Sequence, residues 1–133
     1  MLKKGLCFFF PLSLLCCAVF MNCDNGNGPN PVTKPLEIVS PKGGESYTVG
    51  QSVEIKWKIN DASKIGSVGI TLSLDNGKTF SAYDLELTSI YPPTTTFSWT
   101  IASDQVSDQC VIEVREYNDH SINDKSGAFT VSN

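Results

Sequence analysis

The chain has 133 residues, enough for one ordinary domain, and 41% of them are hydrophobic against 18% charged. This composition excludes a disordered or fibrous chain. Ten Lys and Arg stand against 14 Asp and Glu, which gives a net charge of −4. That balance argues against a nucleic-acid partner, because such proteins present a basic face. The chain has one His and no Cys cluster in its body, so we predict neither a metal nor a cofactor.

The first 22 residues have the build of a secretory signal peptide. Lys3 and Lys4 form a short basic region, and a largely apolar run follows them as far as Met21. The run ends at Asn22-Cys23, a Cys followed by polar residues, which resembles the acylation site of a bacterial lipoprotein. This resemblance implies that the leader over residues 1–22 is removed and that the Cys23 thiol carries the lipid.

Alternatives to this lipoprotein signal stay open. Positions −3 and −1 are Phe20 and Asn22 instead of the usual Leu and a small residue, and Cys16 and Cys17 are rival acceptors. Residues 5–21 are near the lower limit of about 17 for an uncleaved spanning anchor, and a plain signal peptide is also consistent. Every version carries the body of the chain out of the cytoplasm. We therefore predict a lipid-anchored, extracytoplasmic location in the cell envelope, at the outer membrane or the cell surface.

Residues 23–35 have the composition of a linker. Gly, Asn and Pro dominate the stretch and leave almost nothing that can pack. Cleavage before Cys23 would remove two basic residues and no acidic one, which changes the net charge from −4 to −6. An acidic surface of this kind disfavours phosphate-rich partners.

From Leu36 onward, apolar and polar residues alternate with a period of two, the pattern of strands that place one face on a core. The alternating runs are 53–59, 68–74, 97–101, 110–115 and 129–131, with a further strand near Ile38. Their spacing predicts an all-β, Ig-like antiparallel β-sandwich of about seven strands over residues 36–133. Trp57 and Trp99 are expected to fill the space between its two sheets.

Two polar segments predict turns. Asp75-Asn76-Gly77 favours a tight hairpin, because Asn and Gly both tolerate positive φ. Residues 118–127 read as a polar loop that includes His120 as an exposed residue. The Asx residues of these segments leave calcium as an alternative, but the first lacks the later acidic ligands of a calcium loop, and Asx residues populate any exposed turn. The residues in question are Asp75, Asn76, Asn118, Asp119, Asn123 and Asp124.

A family resemblance rests on the opening of this domain, with support from the middle and the end of the chain. The opening residues are Ile38, Pro41, Gly43, Gly44, Glu45, Tyr47, Gly50, Ile55 and Trp57. They resemble a family of Ig-like domains of bacterial cell-surface and secreted proteins, related to the N-terminal domain of yeast cell-wall synthesis (Knh-like) and Ser/Thr-rich GPI-anchored proteins. The resemblance covers residues 36–132, although Tyr47 stands where Trp is common and residues 81–96 match nothing well. It implies a sandwich at a cell surface, and in yeast a link to β-glucan assembly, but no binding residue.

Three reactive side chains are predicted to have no catalytic role. Cys110 alternates with apolar residues and should point inward as a small apolar side chain, with no Cys left for an internal disulfide. Glu113 and Glu116 lie on one strand or its end, and nothing indicates the cleft that a glycosidase needs. Outward Glu residues on strands usually serve solubility. The sequence therefore predicts a protein that is not an enzyme.

Tyr83, Tyr91 and Tyr117 are the aromatics that fit no inward face, and we single them out as possible ligand contacts. Exposed Tyr can stack on sugars or anchor a protein partner, although partly buried rim residues are the alternative. We predict a non-catalytic lipoprotein held in the membrane by its lipidated N-terminus. Its Ig-like module would serve adhesion, envelope assembly or carbohydrate contact, with cell-wall polysaccharide or a surface protein as partner. The alternative is a structural spacer or an accessory subunit of a larger envelope complex.

Overall fold

A computed structural model describes residues 32–80, 83–90 and 94–133. These ranges contain nine strands and one short 3₁₀ helix, Ala62–Lys64. The strands are β1 (Leu36–Ser40), β2 (Ser46–Thr48), β3 (Ser52–Ile59), β4 (Val68–Ser73), β5 (Tyr83–Ile90), β6 (Thr96–Thr100), β7 (Ser107–Glu116), β8 (Asn123–Lys125) and β9 (Phe129–Ser132). No helix in these ranges is long and apolar enough to cross a membrane. The predicted signal peptide and the linker up to residue 31 lie outside the described residues.

The described strands form two sheets. The smaller sheet has the order β1-β3-β6, and the larger has the order β2-β9-β7-β4-β5 with β8 paired to β7. All of these pairings are antiparallel except the one between β2 and β9. The chain crosses between the two sheets after β1, β2, β3, β5 and β6, so strands that are distant in the chain become neighbours, as in Ig-like sandwiches. The prediction of an all-β, Ig-like antiparallel sandwich is confirmed.

The core lies between the two sheets and contains both tryptophans. Trp57 on β3 and Trp99 on β6 are 2% and 4% exposed, and the Trp99 ring meets Phe129 of the opposite sheet edge-on at 6.3 Å. On β3 every second side chain is buried, as the alternation predicts. The predicted place of Trp57 and Trp99 is therefore confirmed.

The alternation fails on the two central strands of the larger sheet. Every residue of β4 is buried, and so are Val111 and Glu113 on the outward face of β7. Both strands have neighbours on each side, and long side chains lie across their outer face. Arg115 and Tyr117, for example, approach within 4 Å of the point where a Cβ on Gly69 would stand. The expectation that Glu113 is solvated is wrong for this reason.

Both turn predictions need correction. Asn76 and Gly77 have the expected positive φ values of 60° and 77°, but β4 and β5 are joined by the longer connection 74–82 and not by a tight hairpin. Within this connection the Asp75 carboxylate accepts hydrogen bonds from the backbone N–H groups of Lys78 (3.1 Å) and Thr79 (2.9 Å). The predicted polar loop before the last strand contains β8, which pairs with β7 through its backbone although its side chains are polar.

Candidate functional site

The Gly-rich motif that carries the family resemblance has a structural role. The Glu45 carboxylate accepts hydrogen bonds from the backbone N–H groups of Lys42 and Gly43, both at 2.7 Å. Burial alone raises the pKa of Glu45, but these N–H donors outweigh it and hold the pKa below its ordinary value. Gly43 has a φ of +116°, and a Cβ there would stand 2.7 Å from the Cα of Gly127. The motif therefore allows the turn at Gly43 to pack directly against the turn at Gly127.

A groove of about 260 Å³ lies between β1 and β8. Side chains in this groove bond to the backbone at the edge of β1. The Asp124 carboxylate accepts hydrogen bonds from the Ile38 backbone N–H at 2.9 Å and from the Lys34 ammonium at 2.5 Å. The Lys42 ammonium donates to the Ile38 carbonyl at 3.2 Å. Partial burial raises the pKa of Asp124, but Lys34 and the Ile38 N–H outweigh it, so the carboxylate stays ionised. Both backbone groups of Ile38 on this edge are thereby occupied, which disfavours pairing with another chain.

The linker joins the sandwich at a fixed point. The Pro35 carbonyl accepts hydrogen bonds from the backbone N–H groups of Asn60 (2.8 Å) and Asp61 (3.3 Å), and the Asn60 side-chain amide donates to the Lys34 carbonyl at 2.9 Å. We call this end of the sandwich the linker pole. It consists of the start of β1, residues 60–67 and the 117–122 loop.

The 117–122 loop belongs to the linker pole because it is bonded to the connection between β3 and β4. The Tyr117 N–H donates to the Ser67 carbonyl at 2.9 Å. The buried Glu116 carboxylate braces the loop, since it accepts hydrogen bonds from the N–H groups of Asn118 (2.6 Å), Asp119 and Ser67 (3.4 Å). A buried carboxylate satisfied by several N–H groups holds a loop in one conformation.

Tyr117 is the predicted contact residue that the structure places on an open surface. Its side chain is 44% exposed, and it stands beside Gly69 and Arg115 on the outer face of the larger sheet. Arg115 contacts the Glu113 carboxylate at 3.4 Å, and Lys125 contacts the same carboxylate at 3.4 Å. The Lys125 ammonium also lies 4.6 Å from the centre of the Phe80 ring. We call the side chains of Phe80, Lys125, Glu113, Arg115 and Tyr117 the outer-face row.

The other two predicted contact residues lie elsewhere along the chain. The backbone of Tyr83 pairs with Leu72 of β4, whereas Tyr117 is bonded to Ser67. Five residues along a strand span about 17 Å, so the two positions are at opposite ends of β4. Tyr91 is outside the described residues. The roles of Tyr83 and Tyr91 as possible ligand contacts stay predictions.

Cys110 and His120 lie where the sequence places them. Cys110 is a fully buried free thiol on β7, and burial raises its pKa. A buried thiol with a raised pKa is a poor nucleophile. His120 is exposed, and its Nε2 lies 3.2 Å from the Tyr117 carbonyl oxygen.

The acidic residues of β7 and its loop do not converge. Glu113 faces outward, whereas Glu116 is three residues further along the strand and points to the other side, toward Ser67. Asp119 turns to Ser121, while Asp124 turns to β1. In the part of the chain that is described, no group of three or more His, Cys, Asp or Glu is placed to hold a metal ion.

Sequence reasoning missed the burial of Glu116, although a signal was present. Ile112 and Val114 point inward, so the same period of two places residue 116 inward as well. No signal in the sequence indicates that Tyr117 and Arg115 lie against Gly69, because this contact depends on which strand pairs with β4.

No family model and no curated protein matches this chain. Among solved structures, the chain is similar to a fibronectin(III)-like module of CbhA from Clostridium thermocellum. The identity is 18%, the match covers 73% of this chain and 94% of that chain, and the TM-score is 0.42.

Proposed function

We propose that the protein is a membrane-anchored extracytoplasmic lipoprotein whose single Ig-like domain is a non-catalytic binding module of the cell envelope. Basic residues, an apolar run and Cys23 open the chain, and a Gly/Asn/Pro linker separates them from the sandwich. The motif around Gly43 adds the resemblance to the Knh-like surface family. Cleavage before Cys23 would leave the acylated Cys as the anchor.

The observation that carries the binding role is the braced Tyr117 loop. The Tyr117 side chain is 44% exposed, and the buried Glu116 carboxylate fixes the loop that follows it. A rigid, exposed aromatic residue is the kind of group that anchors partners. Partners of a module of this kind are cell-wall polysaccharide or a surface protein.

A catalytic role finds little support in the arrangement of acidic groups. Glu113 and Glu116 point to opposite sides of the larger sheet, and hydrolysis by paired carboxylates needs both groups on one substrate. The buried thiol of Cys110 faces the core. These positions favour a binding module over an enzyme.

The anchor is tested by metabolic labelling with a radioactive fatty acid in a bacterial host. We expect Cys23→Ser to abolish the label and to leave the precursor uncleaved, because the thiol is the acyl acceptor. Cys17→Ser is the matched control and should label normally. Persistent labelling of Cys23→Ser would move the acceptor to Cys16 or Cys17, and an unlabelled parent chain would refute the lipoprotein assignment.

A further inference from the structure

We propose that Asn76 is a site of spontaneous deamidation, and that the Ser73 hydroxyl holds this reaction back while the turn over residues 75–79 is closed. Asn76 is the one asparagine of residues 32–133 that precedes a glycine, and it is exposed. Asn25 and Asn27 also precede glycines, but they lie outside the described residues. The inference concerns the lifetime of the domain and depends neither on the proposed anchor nor on the binding role.

The reaction needs only water, because the two reacting groups belong to adjacent residues. The Gly77 backbone nitrogen forms a bond to Cγ of Asn76, the bond from Cγ to the side-chain amide nitrogen breaks, and ammonia leaves with the proton that Gly77 gives up. A five-membered succinimide ring results. Water then opens this ring at either carbonyl, which gives Asp or isoaspartate, each with one more negative charge than Asn. Glycine favours the attack because it has no Cβ to hinder its nitrogen.

The closed turn holds Asn76 in a conformation that cannot react. Asn76 and Gly77 have φ values of 60° and 77°, and two consecutive positive values are typical of a type I′ turn. The Asn76 backbone is therefore in the left-handed region, with a ψ of about +30° to +60°. For an L residue this ψ places the next nitrogen nearly opposite Cβ about the Cα–C bond, whereas the succinimide ring needs the two eclipsed. Ring closure therefore requires about half a turn about that bond.

Hydrogen bonds on both sides of Asn76 oppose this rotation. The Gly77 N–H donates to Oγ of Ser73 at 2.9 Å, and the Asn76 N–H donates to the Gln109 carbonyl at 2.9 Å. Ser73 is buried at the end of β4, and its hydroxyl donates in turn to the Asp75 carboxylate at 2.6 Å. Because that carboxylate fixes the direction of the hydroxyl, Ser73 presents a lone pair to the Gly77 N–H. The peptide group that must rotate is the one that Ser73 holds.

Modification prevents the turn from closing again. Isoaspartate places one extra atom, its own Cβ, in the main chain between residues 76 and 77. The N–H groups of these two residues then no longer keep their present spacing toward Gln109 and Ser73. Local opening of a folded domain is reversible, but deamidation during such an opening is not. The accumulated isoaspartate therefore measures the time that the turn has spent open.

The test follows deamidation of the full chain in detergent micelles at mildly alkaline pH, by protease digestion, chromatographic separation of isoaspartate and mass spectrometry. The same chain unfolded in guanidinium chloride is the reference. We expect Asn76 to deamidate in the unfolded chain and at least about ten-fold more slowly in the folded chain, because the rotation must wait for local opening. An unmodified Asn76 in the unfolded chain would overturn the modification site, and equal rates in the two states would overturn its protection.

Ser73→Ala tests the residue that holds the turn. The substitution removes the acceptor of the Gly77 N–H, so the folded chain should deamidate at least about five-fold faster than the parent. Thr79→Val is the matched control, because it removes a hydroxyl that donates to the same Asp75 carboxylate at 2.8 Å but leaves the bond from Gly77 to Ser73. Its deamidation rate should stay within about two-fold of the parent rate. The parent rate in Ser73→Ala, or equal acceleration in Thr79→Val, would overturn the role of Ser73.

A second measurement needs no substitution and serves if Ser73→Ala does not fold. Amide hydrogen exchange of the parent chain reports how often the Gly77 N–H leaves its acceptor. Urea at concentrations below the unfolding transition increases local opening, so exchange at Gly77 and deamidation at Asn76 should rise by the same factor. Faster exchange without faster deamidation would overturn the coupling between the turn and the reaction.

Discussion

Replacement of Glu116 by Ala should destabilise the domain more than removal of any solvated carboxylate. The Glu116 carboxylate is buried, and it accepts hydrogen bonds from the backbone N–H groups of Asn118, Asp119 and Ser67. Hydrogen bonds to a charged group contribute roughly 1.5–3 kcal/mol each, and a buried N–H that loses its acceptor costs about 1–3 kcal/mol. Water replaces the acceptor at the two exposed loop positions, so we expect a net loss of about 3 kcal/mol.

The assay is equilibrium unfolding in urea with a matched control. With an m value of about 1.5 kcal/mol per molar urea, the Glu116→Ala midpoint should fall by about 2 M. Glu54→Ala is the control, because Glu54 is exposed and its carboxylate pairs with Lys56 at 2.7 Å, a surface pair that contributes at most about 1 kcal/mol. Amide exchange at Asn118 and Asp119 should accelerate in Glu116→Ala alone.

The reasoning is refuted if Glu116→Ala and Glu54→Ala unfold at the same urea concentration. Glu116→Gln gives a further check, because an amide oxygen still accepts hydrogen bonds but carries no charge. Its loss should fall between those of the parent and Glu116→Ala. A Gln variant as unstable as the Ala variant would show that the negative charge, and not packing or an acceptor oxygen alone, accounts for the loss.

Three further predictions concern the core, the turn crossing and acid stability. Trp57→Ala and Trp99→Ala should each lower the free energy of unfolding by about 3–5 kcal/mol. Trp99→Phe should cost more than Trp57→Phe, because only the Trp99 indole N–H has a described acceptor, 3.0 Å away. Equal losses for the two Phe variants in urea unfolding would contradict this. Gly127→Ala should cost about 1–3 kcal/mol, because its Cβ would stand 2.7 Å from a backbone carbonyl, whereas Gly66→Ala meets an ordinary 3.6 Å contact and should be near neutral in thermal unfolding. Hydrogen bonds from neighbouring hydroxyl and N–H groups lower the pKa of Asp75 from 3.8 to about 2. The contribution of the ionised Asp75 carboxylate to stability is therefore complete above pH 4 and is lost as the pH falls to 2. Asp75→Asn should make the urea midpoint depend less on pH over that range. An unchanged pH dependence would count against the loop contacts.

Much of the fold could be predicted from the sequence, because a strand with one face on a core shows a period of two. The run Val53, Ile55, Trp57 predicts an inward face, and the structure buries all three side chains. Cys110 follows from the same rule. These positions depend only on local alternation and on the burial of apolar area.

The outer face of the larger sheet could not be predicted in this way. Thr71 and Glu113 look like solvated strand residues, yet both are buried. Their burial depends on β4 and β7 being central strands and on long side chains of neighbouring residues that reach across them. Alternation along one strand carries no information about which strands become its neighbours.

One part of the candidate site could be predicted from the sequence, and the other part depends on the tertiary structure. Tyr117 could be singled out from the sequence, because the alternation of Ile112 and Val114 on the inward face places residue 117 on the other face. The tertiary structure alone decided that Gly69 and Arg115 stand beside it, since they come from two strands 46 residues apart that pair only when the sheet forms. Backbone hydrogen bonding between distant segments sets that register, and the local pattern specifies only which face of each strand is apolar.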